Sequence, residues 1–251
     1  RFDENRWYEY GAWLKARTHK QGTTYQDKTR YTTLTVCKQV FNFGIRQKLL
    51  AFDPMPGVHL PKAKARPQVC PTTEQVTAML ALCDGITHAA IAIMAFQGLR
   101  VGEVEALQWA DVQLDHGEGG MLHVRRGAAT GKTKTKQERF VPIHPTVRRV
   151  LEALPRSHER VVPGLKERTL LSQIKRLGKQ VGLPPGVKCH SMRHHFASMC
   201  ANSRTIPYRM AMQWLGHSSS QILDLYYHLH DNESQAAMRT LAEQNAFTNT
   251  R

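Results

Sequence analysis

Between Arg168 and Leu223 the chain carries no Asp or Glu, while Arg168, Lys175, Arg176, Lys179, Lys188, Arg193, Arg204 and Arg209 all fall inside that span. In a chain with 20 acidic residues this is a sustained positive face. Such a face costs self-repulsion unless a polyanion answers it. The feature is sharpest from Cys189 to His230, CHSMRHHFASMCANSRTIPYRMAMQWLGHSSSQILDLYYHLH, where Arg, several His and two adjacent Tyr share a short helical region. A basic pocket with a phenol at its far end suits attack on a phosphodiester without a metal. Cations meet the phosphate oxygens, imidazoles move protons, and a hydroxyl is the nucleophile.

The rest of the composition points the same way. A formal charge of +15 over 251 residues favours nucleic acid as the partner over a membrane. No apolar run approaches the roughly 20 residues needed to span a bilayer, and no signal peptide opens the chain. The expected location is therefore cytoplasmic and nucleoid-associated, with no membrane partner, and the missing initiating Met suggests a fragment. Cys37, Cys70, Cys83, Cys189 and Cys200 lack CxxC spacing, so free thiols are expected.

Taken in order, the chain reads as two domains. Trp7, Tyr10, Trp13 and Leu14 fall at helical spacing, and Leu34, Cys37, Phe41, Ile45 and Leu49 define one face of a second, longer helix that stops before Pro54. These aromatics read as core and not as a base-stacking platform. The Pro-rich, basic stretch that follows reads as a linker. Lys62, Lys64 and Arg66 either follow a phosphate backbone there or are simply solvated. The boundaries expected are 1–60 for a helical domain, 61–71 for the linker and 72–251 for the second domain.

Thr72 and Gln75 have capping-box spacing, and Val76, Met79, Leu80 and Leu82 form the buried face of the helix they open. The apolar run Ala89 to Phe96 reads as a buried helix ended by Gly98. Then GLRVGEVEALQWADV gives a tight turn and a short helix bearing Val101, Val104, Leu107 and Trp109. Arg100 sits at the turn, where Glu103, three positions on, can hold it. From Met121 the period changes to two, through Leu122 and Val124, a basic turn with Lys132, Lys134 and Lys136, and then Phe140, Val141 and Ile143. This is a β-hairpin. Helices are expected over Pro145 to Leu154 and Lys166 to Val181.

These motifs, in this order, resemble the tyrosine recombinase family, also called phage integrases, from about Thr72 onward. GLRVGEVEALQW looks like the family's first arginine box, which implies a catalytic Arg100 and a supporting Glu103. GKTKTKQERFVPI looks like the hairpin of the catalytic lysine, implying Lys134, with Lys132 and Lys136 beside it as DNA contacts. HSMRHHFAS looks like the His-x-x-Arg box, implying His190 and Arg193, although Met192 stands where Leu is usual. LGHS implies His217, and the spacing from there reaches Tyr226 as nucleophile, with Tyr227 as a second phenol beside it.

The resemblance implies a mainly α fold with a small β-sheet or hairpin in the catalytic domain, preceded by a small all-α core-binding domain, the two clamping DNA. It implies a site-specific recombinase or integrase that breaks and rejoins double-stranded DNA through a 3′-phosphotyrosine, with no cofactor, metal or ATP. Arg100 and Arg193 would fork onto the phosphate, Lys134 would protonate the departing 5′-oxygen, and His190 would assist proton transfer at Tyr226. His217 would donate to the phosphate or position Tyr226. A homotetramer on DNA is implied, with a C-terminal tail helix bearing Ala236, Ala237, Met238, Leu241 and Ala242 exchanged between subunits; the residues themselves equally fit a helix packed on its own subunit. Accessory DNA-bending proteins and a bacterial or phage-type host fit the same picture. Two other readings use the same surface: a type IB topoisomerase-like enzyme and a catalytically silent DNA-binding protein. A metal site at Cys189, His190, His194 and His195 is disfavoured by Arg193 in their midst; His194 and His195 read as packing or phosphate-contact residues.

Overall fold

The computed structural model describes residues 3–18, 22, 24–53, 69–125, 138–203 and 205–216. The chain divides into two compact units, Arg1–Pro67 and Gln68–Arg251.

In the first unit, α1 (Glu4–Ala16) starts at Asp3, whose side chain accepts from the Arg6 N–H and so satisfies one of the orphan donors of the first turn. Helix α2 (Asp27–Arg46) packs on it, and Trp7, Leu14 and Leu34 form the core with Tyr10, Cys37 and Phe41 alongside. Two expectations fail here. Trp13 is 49% exposed, because it lies beside the buried stripe and stacks on Tyr10 at 5.6 Å with the Arg17 guanidinium over it. Leu49 is 75% exposed, because α2 ends at Arg46 and Lys48 turns left-handed (φ 58°), which takes Leu49 off the helical face.

In the second unit, the expected capping box opens α3 (Thr73–Ala81): Thr72 Oγ1 accepts from Gln75 N–H and Gln75 Oε1 accepts from Thr72 N–H. Val76, Met79 and Leu80 are buried, but Leu82 is the C-cap and faces solvent. Helix α4 (Gly85–Gln97) starts four residues before the apolar run, and Ala89 through Gln97 are all buried. A helix apolar on every side must be enclosed. The elements around it are α3, α5 (Val101–Ala106), α6 (Pro145–Ala153), α7 (Glu167–Gln180) and α8 (Cys189–Asn202). Gly98 ends α4 in the left-handed conformation (φ 69°), and a Cβ there would stand 2.3 Å from the Phe196 ring. Only glycine meets both demands.

The period-two segment forms more than a hairpin. Strands β1 (Val112–Gln113), β2 (Met121–Val124) and β3 (Arg139–Pro142) make an antiparallel sheet in the order β1-β2-β3, with Leu122 opposite Val141 and Val124 opposite Arg139. The pleat sends Leu122, Val124, Arg139 and Val141 inward. Phe140 therefore points outward, 51% exposed and stacked on His123 at 4.6 Å. Trp109 belongs to a short 3-10 turn after α5 and not to that helix.

Buried Gln97 fastens the sheet to α4, donating to the Pro142 carbonyl and accepting from the His144 N–H. The last described helix, α9 (Tyr208–Leu215), packs on α8 and β3 and ends in left-handed Gly216 (φ 59°). No helix among the described residues is long and apolar enough to cross a membrane.

Candidate active site

The site begins where α4 cannot continue. Past Gly98 the chain is extended at Arg100, which caps α5, and Glu103 in the first turn reaches back. Its Oε2 accepts from the Arg100 N–H at 2.8 Å and its Oε1 from Arg100 Nη1 at 3.1 Å. The i, i+3 spacing thus becomes a local clamp, as expected from the sequence.

Glu103 is also where distant parts of the chain meet. Arg139, inward-facing on β3, forks onto it with Nη1 to Oε1 at 3.0 Å and Nη2 to Oε2 at 2.7 Å. Arg193, from α8, places Nη1 3.8 Å from Oε2. Among the described residues, one carboxylate is therefore shared by three guanidiniums. Burial alone would raise the Glu103 carboxyl, but the hydrogen bonds and charge of Arg139, the Arg100 N–H and the charge of Arg193 outweigh it and hold it at about 2.

Arg193 is only 2% exposed. It donates from Nη1 to the Gly98 carbonyl and from Nη2 to the Leu215 carbonyl. Burial, with Arg100 and Arg139 adding to it against the pull of Glu103, lowers the guanidinium to about 9, so it remains a cation at neutral pH. Arg100 reaches the same helix end, with Nη2 3.5 Å from the Gly216 carbonyl, and keeps 30% of its side chain accessible.

His190 lies one turn before Arg193 on α8, an exposed residue whose ring meets His194 edge-on at 4.6 Å. Desolvation by its packed neighbours, then the charges of His194, Arg193 and Arg100, push it down to about 4. At neutral pH it is an uncharged imidazole, able to accept a proton. His194 and His195 are buried. His195 Nδ1 is 3.0 Å from the Pro71 carbonyl and its ring meets Phe96 edge-on, which is a packing role.

The structure thus brings Arg100, Glu103, His190 and Arg193 into one electrostatic neighbourhood. Lys134, His217 and Tyr226, with Tyr227 and the expected DNA contacts Lys62, Lys64, Arg66, Lys132 and Lys136, lie outside the described residues. So do the tail helix and all but the last three residues of the expected linker. Arg139 is the residue that sequence reasoning missed. Its signal was phase: it alternates with Val141 and Ile143, which places a charge on an inward face where only a buried carboxylate can answer it. All five cysteines are free, and among the described residues no group of three or more His, Cys, Asp or Glu could hold a metal ion.

A mostly helical unit with a three-stranded sheet, carrying arginines from the cap of α5, from β3 and from α8 around one carboxylate, has the architecture of a tyrosine recombinase catalytic domain. The same fold occurs in the Tn1549 transposon integrase in complex with a circular intermediate DNA, with a TM-score of 0.73 at 19% identity over 96% of this chain and 85% of that one. It occurs also in the XerH site-specific recombinase bound to palindromic difH substrate, with a TM-score of 0.67 at 17% identity over 92% and 71% of the respective chains. Residues 71–233 match the sequence profile of the phage integrase family, and the chain belongs to that family. Among curated proteins it is similar to tyrosine recombinase XerC of Xanthomonas campestris pv. campestris, 27% identical over an alignment of 226 residues that covers 84% of this chain. It is also similar to tyrosine recombinase XerD of Halalkalibacterium halodurans, 26% identical over an alignment of 209 residues that covers 74% of this chain. The chain spans 66% of the length of each of these two relatives.

Proposed function

We propose that the protein is a site-specific DNA recombinase that cleaves and rejoins strands by transesterification through a 3′-phosphotyrosine, without metal or ATP. The observation that carries this reading is the convergence of Arg100 and Arg193, 93 residues apart by their numbers, on the Glu103 carboxylate with neutral His190 beside them. Fixed guanidiniums in a partly water-excluded site stabilise the charge that builds on a phosphoryl oxygen, with no reorganisation at the moment of reaction. Both fit a phosphodiester bidentately. Arg193 now holds the Gly98 and Leu215 carbonyls, so binding DNA exchanges at least one of these contacts for a phosphate oxygen.

The remaining roles rest on family membership. Tyr226 is the nucleophile, and an ordinary tyrosine, with a pKa of about 10, needs a base or dense positive charge to act. Neutral His190 supplies the base. Lys134 protonates the 5′-oxygen, and His217 donates to the phosphate or orients Tyr226. Lys62, Lys64, Arg66, Lys132 and Lys136 contact the DNA backbone. The working form is a tetramer on two duplexes joined by exchange of C-terminal tails, in the cytoplasm at the nucleoid, with accessory bending proteins where the site requires them.

The test is a nicked suicide duplex carrying the protein's own attachment sequence, incubated in EDTA and resolved on a denaturing gel. A covalent adduct is expected with the wild type and with Tyr227→Phe, but not with Tyr226→Phe. No adduct would leave a silent DNA-binding protein. Relaxation of any supercoiled plasmid, whatever its sequence, would point to a topoisomerase instead.

A further inference from the structure

The end of α9 is gripped in an unusual way. The last carbonyls of a helix have no partner within it. Here three successive ones are each met by a different guanidinium: Trp214 by Arg139 Nε at 2.8 Å, Leu215 by Arg193, and Gly216 by Arg100 at 3.5 Å. Cations at a helix C-terminus also complement its dipole. Because Glu103 binds all three guanidiniums, the carboxylate, the arginines and the helix end form one rigid unit. The residue after Gly216 in sequence is His217.

We propose that Arg139 is a positioning residue for the recombination reaction: its planar fork locks Glu103 to the end of α9 and so sets where the chain enters His217 relative to Arg100 and Arg193. This rests on the recombinase reading above. Arg139 is not assigned to the phosphate: unlike Arg193, whose Nη1 and Nη2 donate to neutral backbone carbonyls, it commits both Nη atoms to the Glu103 carboxylate and Nε to the Trp214 carbonyl. Its work is geometric. A lysine keeps the charge but cannot hold both Glu103 oxygens and the Trp214 carbonyl at once. Gly216 shows how close the fit is: a Cβ there would stand 2.9 Å from Arg139 Nη1. Stability alone does not explain the arrangement, since a buried ion pair can often be replaced by apolar residues of similar volume without loss.

The test is a double-mutant cycle on the rate of adduct formation at saturating suicide duplex, with DNA affinity and melting temperature measured alongside. Arg139→Lys is expected to slow the reaction by about 100-fold, the cost of a displacement of about 1 Å, with DNA affinity unchanged. In a His217→Ala background the same substitution should slow it by about 3-fold or less, because the contribution it acts through is already gone. Equal losses in the two backgrounds, or no loss in the first, would overturn the inference while leaving the recombinase reading intact. If Arg139→Lys does not fold, the same cycle run with Gly216→Ala decides, since that change disturbs the contact and keeps every charged group. A wild type that forms no adduct brings down the recombinase reading and this inference with it.

Discussion

Glu103→Gln removes one charge and little volume, and its consequence can be worked from the structure. Inside the fold the carboxyl sits at about 2 against a usual 4.5. At about 1.4 kcal/mol per pH unit, that gap means the ionised form is favoured by about 3 kcal/mol in the folded state. The amide cannot recover this: its NH2 group would face either Arg139 Nη1 or Nη2, donor against donor, where the carboxylate now accepts at 3.0 and 2.7 Å. Breaking a buried pair from one side ordinarily costs about 3–5 kcal/mol, in agreement. For a unit of this size the variant should melt about 6–12 °C lower at pH 7. The pH dependence is the sharper readout. Because the folded carboxyl is depressed, its contribution is complete above about 4.5 and fades as pH falls toward about 2. Urea unfolding followed by circular dichroism should therefore show a large difference between wild type and variant at pH 7, reduced by half or more at pH 3. Equal stability at pH 7, or a difference that does not shrink with acid, would refute the reasoning.

Gly98→Ala should destabilise the second unit by about 2 kcal/mol or more, through strain at φ 69° and a clash with Phe196, read as a lower melting temperature. His190 should titrate in the folded protein near 4 by NMR, and the stability it contributes should be intact above about 6.5 and decline as pH falls toward about 4. Burial pushes the Cys200 thiol up to about 12 and the Cys189 thiol up to about 11, so iodoacetamide at pH 8 should leave both unlabelled until the protein is denatured, as peptide mass spectrometry would show.

What the sequence determined by itself was local or periodic. The Thr72–Gln75 capping box, the end of α4 at Gly98 and the hold of Glu103 on Arg100 each depend on residues a few positions apart, where backbone geometry alone sets the meeting. Ordered boxes likewise singled out Arg100, His190 and Arg193, residues that the fold brings into one electrostatic neighbourhood. Periodicity alone misjudged Trp13, Leu49 and Leu82. A stripe tells which residues align, but the place where the helix stops and the side of the pleat that faces the core decide which of them are covered.

Only the tertiary structure decided what Glu103 does. Its fork to Arg139 spans 36 positions, and Arg139 in turn reaches Trp214 across 75. Contacts of that range exist because enclosing α4 brings β3, α5, α8 and the end of α9 to one point. The charges then follow from desolvation: a buried carboxylate gathers every guanidinium in reach, and no spacing rule in the chain encodes that.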